Sequence, residues 1–157
     1  VCMNELDVVF ALDRAGIVGQ DGKTHHGLYD LAYMRIAPNM TVAVPKDENE
    51  MRHLLWTALH SGKAWAIRYP RGEVRGVPLD KDMGPILYGT AEIMREGEMV
   101  CLAAVGEAVY AALDAAKELE EYGLKPQVVN LRYIKPVDPA LVDELLDNFS
   151  VVWVIEE

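Results

Sequence analysis

DVVFALDRAGIVGQDGKTHHG, residues 7–27, joins a continuous apolar run to a glycine-rich polar loop. The run at 7–12 holds β-branched residues without alternation, which predicts a strand buried on both faces of a parallel sheet. Gly16, Gly19 and Gly22 then break regular structure. Their spacing matches neither the Walker nor the dinucleotide pattern, so the loop reads as closely packed backbone rather than a phosphate cradle.

Working outward, Leu28, Leu31, Ala32 and Ile36 recur at helical spacing and Pro38 ends that helix. TVAV at 41–44 is a short buried strand. Asp47 caps the next helix with Glu50 as its capping-box partner. Met51, Leu54, Leu55, Ala58 and Leu59 form its apolar stripe, and Gly62 stops it. AWAIRY at 64–69 is a third strand. PRGEVRGVPLDKDMGP at 70–85 carries three prolines and three glycines, the composition of a crossing segment. A linker at 76–84 divides the chain into domains 1–75 and 85–157.

The second part restarts the alternation. A weakly alternating run at 86–94 is expected to pair with the strand MVCLAAV at 99–105. Val109, Ala112, Leu113, Ala116 and Leu119 face inward on a helix that Gly123 ends. PQVVNL at 126–131 is a strand. Asp138 and Pro139 open a helix with Leu141, Val142, Leu145, Leu146 and Phe149 inward, and VVWVI at 151–155 is the last strand. Strand and helix alternate throughout, so both parts are α/β, with mostly parallel sheets and flanking helices. Val1 in place of Met, and strand-like runs close to both ends, read as cuts through a longer polypeptide.

Composition bounds the partners. Apolar residues make up 51% and charged residues 25%, as in globular proteins rather than disordered ones. The net charge of −10 argues against nucleic acid, whose phosphates call for a basic surface. It leaves room for one phosphorylated metabolite held by a few arginines. No apolar run reaches the ~18 residues of a bilayer span. Cys2 and Cys101 lie far apart in apolar contexts and read as buried free thiols, pointing to a reducing, cytoplasmic setting.

In open α/β sheets, ligands bind beyond the carboxyl ends of the strands. The first strand ends at Asp13 and Arg14, the third at Tyr69, Pro70 and Arg71. If the two strands are parallel neighbours, Arg14 and Arg71 emerge on one edge and can fork onto one anion. The other reading pairs each arginine with a local carboxylate, Asp13 for instance. DGKTHHG at 21–27 adds Asp21, Thr24, His25 and His26. A histidine there can transfer protons, oriented by the adjacent carboxylate. Equally, these can be loop or capping histidines. No metal-ligand spacing is present, so no metal site is assigned. His53 and His60 read as a solvated helix face, the acidic run 118–121 as a solvated helix end, and Trp56, Trp65 and Trp153 as core or interface. Glu156 and Glu157 follow a strand end without a role.

DRAGIVGQDGKTHHGLYDLAYMRIAPNM at 13–40, PKDENEMRHLL at 45–55, IRYPRG at 67–72 and VVNLRYIKPVD at 128–138 resemble the 1-deoxy-D-xylulose-5-phosphate synthases. These are transketolase-like, thiamin-diphosphate-dependent enzymes. The resemblance implies a partial pyrimidine-binding domain followed by a partial transketolase C-terminal-like domain. It implies condensation of pyruvate with D-glyceraldehyde 3-phosphate by a cytoplasmic homodimer, for isoprenoid, thiamin and pyridoxal synthesis. Arg14 and Arg71 match the arginines that hold the acceptor's phosphate. His25 matches a histidine near the reacting carbons, and Asp21 matches an aspartate that positions the donor-derived intermediate. Thiamin diphosphate and Mg2+ bind, in the family, through a Gly-Asp-Gly…Asn element and an activating glutamate that this sequence lacks. Lys23 stands where many relatives carry proline. The chain alone is therefore expected to be inactive. Two other readings remain: a transketolase-like enzyme with another acceptor, and a non-catalytic module binding a phosphometabolite or a subunit.

Overall fold

A computed structural model describes residues 1–156. Glu157 lies outside the described residues. After a short 3-10 turn at Cys2–Asn4 come β1 (Val9–Leu12), α1 (Asp30–Ile36), β2 (Met40–Ala43), α2 (Glu48–Leu59) and β3 (Ala64–Arg68). There follow β4 (Glu92–Arg95), β5 (Met99–Ala104), α3 (Ala108–Glu120), β6 (Gln127–Asn130), β7 (Tyr133–Lys135), α4 (Pro139–Asn148) and β8 (Phe149–Ile155). One sheet has the order β1-β3-β2-β7, the other β4-β6-β5-β8. Each holds three parallel strands and one antiparallel edge, β7 and β4 respectively. The α/β architecture with mostly parallel sheets is as expected.

Several local expectations are corrected. β4 pairs with β6, not with β5, because β5 already has parallel neighbours on both sides. The link between β4 and β5 instead crosses the start of β6, where Glu98 N–H donates to the Lys125 carbonyl at 2.7 Å. A Cβ at Gly97 would overlap the backbone of Lys125, Pro126 and Gln127. β1 is an edge strand, so Ala11 is exposed rather than covered on both faces. The seven-residue α1 lays Leu31 and Met34 on the sheet, while Ala32 and Ile36 face away and Leu28 lies exposed before the helix begins. Leu55 and Leu59 on α2, and Val142 and Leu146 on α4, are likewise exposed. Phe149 begins β8 instead of closing the helix stripe, and Trp153 is 60% exposed.

The two parts of the chain are stitched together. β7 comes from the second part and adds to the first sheet beside β2. Its Tyr133 enters the first core, edge-on to Trp65 at 5.7 Å. Val105, beyond β5, packs with Val42 and Val44. The segment 70–91 has no long-range pairing of its own and runs along α2. His53 fastens it: Nε2 meets Asp80 Oδ2 at 2.9 Å, and Nδ1 meets the backbone of Gly84. Glu48 accepts from the Gly76 and Val77 amides, and Thr57 Oγ1 accepts from Ile86 N–H. His53 is thus a half-buried clamp, correcting the solvated-face expectation. His60 stays exposed, stacked on Trp56 with its Nδ1 on the Trp56 carbonyl.

Candidate functional site

β1 and β3 are parallel neighbours in a register that sets Leu12 beside Arg68. The two chain exits therefore share one edge. Tyr69 N–H donates to the Leu12 carbonyl at 2.9 Å, and Ala15 N–H to the Tyr69 carbonyl at 3.1 Å. Beyond this point the loop 13–27 is pinched at its neck, where Gly16 and Gly27 exchange backbone hydrogen bonds of 3.1 and 3.0 Å. Gly27 must be glycine, because a Cβ there would overlap the Arg14 carbonyl. Arg14 itself takes a left-handed φ of 60°, which turns its side chain out of the strand direction.

The loop closes on Asp21. One of its oxygens accepts from Arg14 Nε at 2.7 Å, and the other accepts from Arg71. Arg14 also donates to Asp13. Both open alternatives of the sequence reading meet here: the arginines converge on one anion, and that anion is a local carboxylate. Hydrogen bonds from Arg71 and then Arg14 hold Asp21 below the ordinary carboxylate range. The bond to Asp21 and the charge of Asp13 push Arg14 upward. Two cations facing one carboxylate form a fork-type anion site whose present occupant is tethered by the loop itself.

His25 is exposed on the same loop, its N–H on the Gly22 carbonyl at 3.1 Å. Asp21 does not orient its ring: its two carboxylate oxygens point to the arginines. Thr24 does so instead, with Oγ1 at 3.0 Å from His25 Nδ1. His26 is half-buried and Lys23 exposed. Among the described residues no group of three or more His, Cys, Asp or Glu side chains is arranged to hold a metal. Cys2 and Cys101 are free and buried, and burial pushes the Cys101 thiol up to about 11. No helix among the described residues is long and apolar enough to cross a membrane.

Two further groups escaped the sequence reading. Arg68, the last residue of β3, is 2% exposed and pairs with Asp30 at 2.9 Å behind the loop. Its signal was a lone cation in an otherwise apolar strand, which requires a buried partner. The second group ties the two parts of the chain together. The Glu50 carboxylate accepts from Lys46 N–H and Asn130 Nδ2 and lies 2.9 Å from Arg132 Nε in an ion pair, while Glu92 receives Lys46 Nζ and Arg132. A cleft of about 400 Å³ lies beside it at the strands' carboxyl edge, lined by Pro45, Lys46, Tyr69, Pro70, Arg75 and Glu107.

The chain as a whole resembles known proteins. Residues 1–77 match the transketolase pyrimidine-binding domain, and residues 89–157 match the transketolase C-terminal domain. The chain is 48% identical over its full length to a 1-deoxy-D-xylulose-5-phosphate synthase of Syntrophus aciditrophicus, and 50% identical to one of Geobacter sulfurreducens. It spans about a quarter of the length of these curated relatives, 24% and 25% respectively. Among solved structures, it is similar to a split-gene transketolase described as an inactive beta4 tetramer. The TM-score is 0.86 at 33% identity, covering 100% of this chain and 50% of that one. A transketolase mutant from Pichia stipitis shares the fold, with a TM-score of 0.78 at 23% identity, over 99% of this chain and 24% of that one.

Proposed function

The chain belongs to the transketolase family, and from that premise we propose that it supplies the acceptor-phosphate site of a thiamin-diphosphate-dependent transferase. The reaction condenses pyruvate with D-glyceraldehyde 3-phosphate, giving 1-deoxy-D-xylulose 5-phosphate and carbon dioxide. The observation that carries this reading is the convergence of Arg14 and Arg71 on the single carboxylate of Asp21. The similarity to synthases along the whole chain supports it.

In this reading the acceptor's phosphate takes the place of the Asp21 carboxylate. A phosphate offers more acceptor oxygens and more charge than a carboxylate, so both forks gain by the exchange. Asp21, released, is free to contact the donor-derived intermediate. His25 handles a proton at the acceptor carbonyl oxygen through Nε2, with Thr24 holding Nδ1. Thiamin diphosphate, held elsewhere, would supply a carbon nucleophile and an electron sink. The donor set described here does not fit its diphosphate and Mg2+: two arginines and a neutralising carboxylate suit one anion, not a hard cation, which wants several oxygens. We assign those groups to other parts of a longer, cytoplasmic, homodimeric protein, and derive no step through them.

The test uses that intact protein. Arg14→Ala and Arg71→Ala should each lower kcat/KM for D-glyceraldehyde 3-phosphate about thirtyfold. The value for unphosphorylated D-glyceraldehyde should change far less. Equal losses for both acceptors would remove the phosphate role. A second reading is favoured by one comparison. The similar split-gene transketolase chain is described as an inactive tetramer, so this chain by itself would be a folded, non-catalytic subunit. Thiamin diphosphate titrated into the isolated chain should then show little binding, and micromolar affinity would contradict both readings.

A further inference from the structure

Arg68 sits between the two exits that deliver the proposed anion site. A guanidinium that is 2% exposed has been stripped of water, and it persists only where the fold supplies oxygens for it. Two of those oxygens belong to the loop and its continuation. Nε donates to Asp30 Oδ2 at 2.9 Å, and a terminal nitrogen donates to the Gly27 carbonyl at 2.9 Å. Asp30 is the first residue of α1 and is itself 6% exposed. The Gly27 carbonyl also accepts from Gly16 N–H, so Arg68 holds the residue that closes the loop neck. Along the chain, Arg68 precedes Tyr69, whose carbonyl accepts from Ala15 N–H, and Arg71 lies three residues on. One planar side chain thus links the strand that leads to Arg71 to the far end of the loop carrying Arg14, Asp21 and His25.

We propose that Arg68, with Asp30 as its counter-ion, is a positioning residue that holds the 13–27 loop in register with Arg71. It touches no reacting atom. A fork is needed because the carboxylate and the carbonyl lie in different directions. A lysine carries its donors on one nitrogen at the end of a shorter chain, so it lacks the two separated nitrogens that meet the carboxylate and the carbonyl together. The proposal rests on the anion-site reading above for its effect on turnover, though not for its effect on the loop.

The test compares Arg68→Lys with the double variant Arg68→Met/Asp30→Leu in the intact protein. The double variant removes both buried charges together, a change that folds tolerate far better than removing one. Two readouts are taken. Hydrogen exchange at the Gly16 and Gly27 amides reports the loop neck. The ratio of kcat/KM for D-glyceraldehyde 3-phosphate to that for D-glyceraldehyde reports the anion site. Both variants should exchange faster at the neck while amides of β5 keep their protection, and the ratio should fall about tenfold. Faster exchange with an unchanged ratio would retain the positioning role and remove the phosphate reading. Unchanged exchange at the neck in both variants would overturn the proposal. So would a loss of protection spread evenly over the chain, which marks a merely structural residue.

Discussion

Two clusters of alternating carboxylates and cations lie in this chain, and they are built to opposite ends. In the loop cluster, Asp21 joins Arg14 and Arg71 on backbone outside regular structure, and the arginine side chains are 33% and 45% exposed. In the inter-domain cluster, Glu50, Lys46 and Arg132 are 3%, 13% and 12% exposed. They come from α2, the residue before its cap, and the turn after β6. The chemistry is the same, but the surroundings differ. A carboxylate whose arginines reach water, as those of the 16% exposed Asp21 do, can leave them for another anion at small cost, because solvent screens the freed cations. A carboxylate in the interior cannot, because the cations it abandons stay desolvated. The loop cluster is therefore exchangeable and suits ligand binding. The inter-domain cluster is fixed and suits holding β4, β6 and α2 together.

The largest expected effect tests that contrast directly. Glu50→Ala leaves Lys46 and Arg132 short of a buried partner and Asn130 Nδ2 without its main acceptor. Unfolding by denaturant should show a loss of about 3–5 kcal/mol. Glu50→Gln retains an acceptor for the Lys46 amide and should cost clearly less. Asp21→Ala, in the same assay, should leave the midpoint nearly unmoved. If Glu50→Ala and Asp21→Ala behaved alike, the distinction between fixed and exchangeable clusters would fail.

Acid and alkali should separate the clusters next. Burial pulls Lys46 down, but the charges of Glu50 and Glu92 outweigh it and the net shift is upward. Burial pushes Glu92 up, but Lys46 and Arg132 outweigh it and the net shift is downward. A lowered carboxylate contributes stability that is present above its unfolded value, about 4.3 for glutamate. That stability is lost as pH falls through the folded value. A raised lysine contributes below about 10.4 and loses that as pH rises through its folded value. Stability from this pair should thus be level between roughly pH 5 and 10 and decline on either side. Glu92→Gln should flatten the acid limb and shrink the alkaline one, because Lys46 loses part of its upward shift. An acid limb unchanged in Glu92→Gln would remove Glu92 from the cluster's energetics. Asp21 is lowered too, but Asp21→Asn should alter only protease cleavage within 13–27, not global melting.

Much of the scaffold was legible because it is written in local periodicity. The apolar runs that became β2, β3, β5, β6 and β8, and the caps Asp47 and Asp138, follow from nearest-neighbour chemistry. The shared edge of Arg14 and Arg71 followed from one topological rule. What escaped depends on partners distant in sequence. β7 has three residues, too few to show a period. Glu50 read as a capping-box residue, yet its carboxylate goes to the Lys46 amide and to Asn130, eighty positions away. His53 looked solvated because the segment that covers it is irregular and polar, and has no hydrophobic pattern to announce itself. The exposed apolar side chains of α1, Ala32 and Ile36, were misjudged for the converse reason: helical spacing alone does not say what a face meets. In the loop, the pairing of His25 with Thr24 rather than Asp21 could not be read from order alone, since the arginine that engages Asp21 lies fifty residues on.

The smallest effect separates the clusters through backbone alone. Arg14 holds a φ of 60°, where a Cβ is strained and glycine is not. Arg14→Gly and Arg14→Ala both delete the guanidinium, so they differ only in how the backbone bears that conformation. The glycine variant should melt about 2–4 °C above the alanine variant. At Glu50, in the first turn of α2, the order should reverse, because glycine is worse than alanine in a helix by up to about 1 kcal/mol. Differential scanning calorimetry on the four variants resolves both differences. Alanine above glycine at both positions would mean that the loop backbone at Arg14 relaxes out of its left-handed turn once the side chain is gone. The turn would then be a consequence of the Asp21 bond rather than a fixed part of the loop. The opposed order would show a backbone already shaped for the arginine before any anion, tethered or free, arrives.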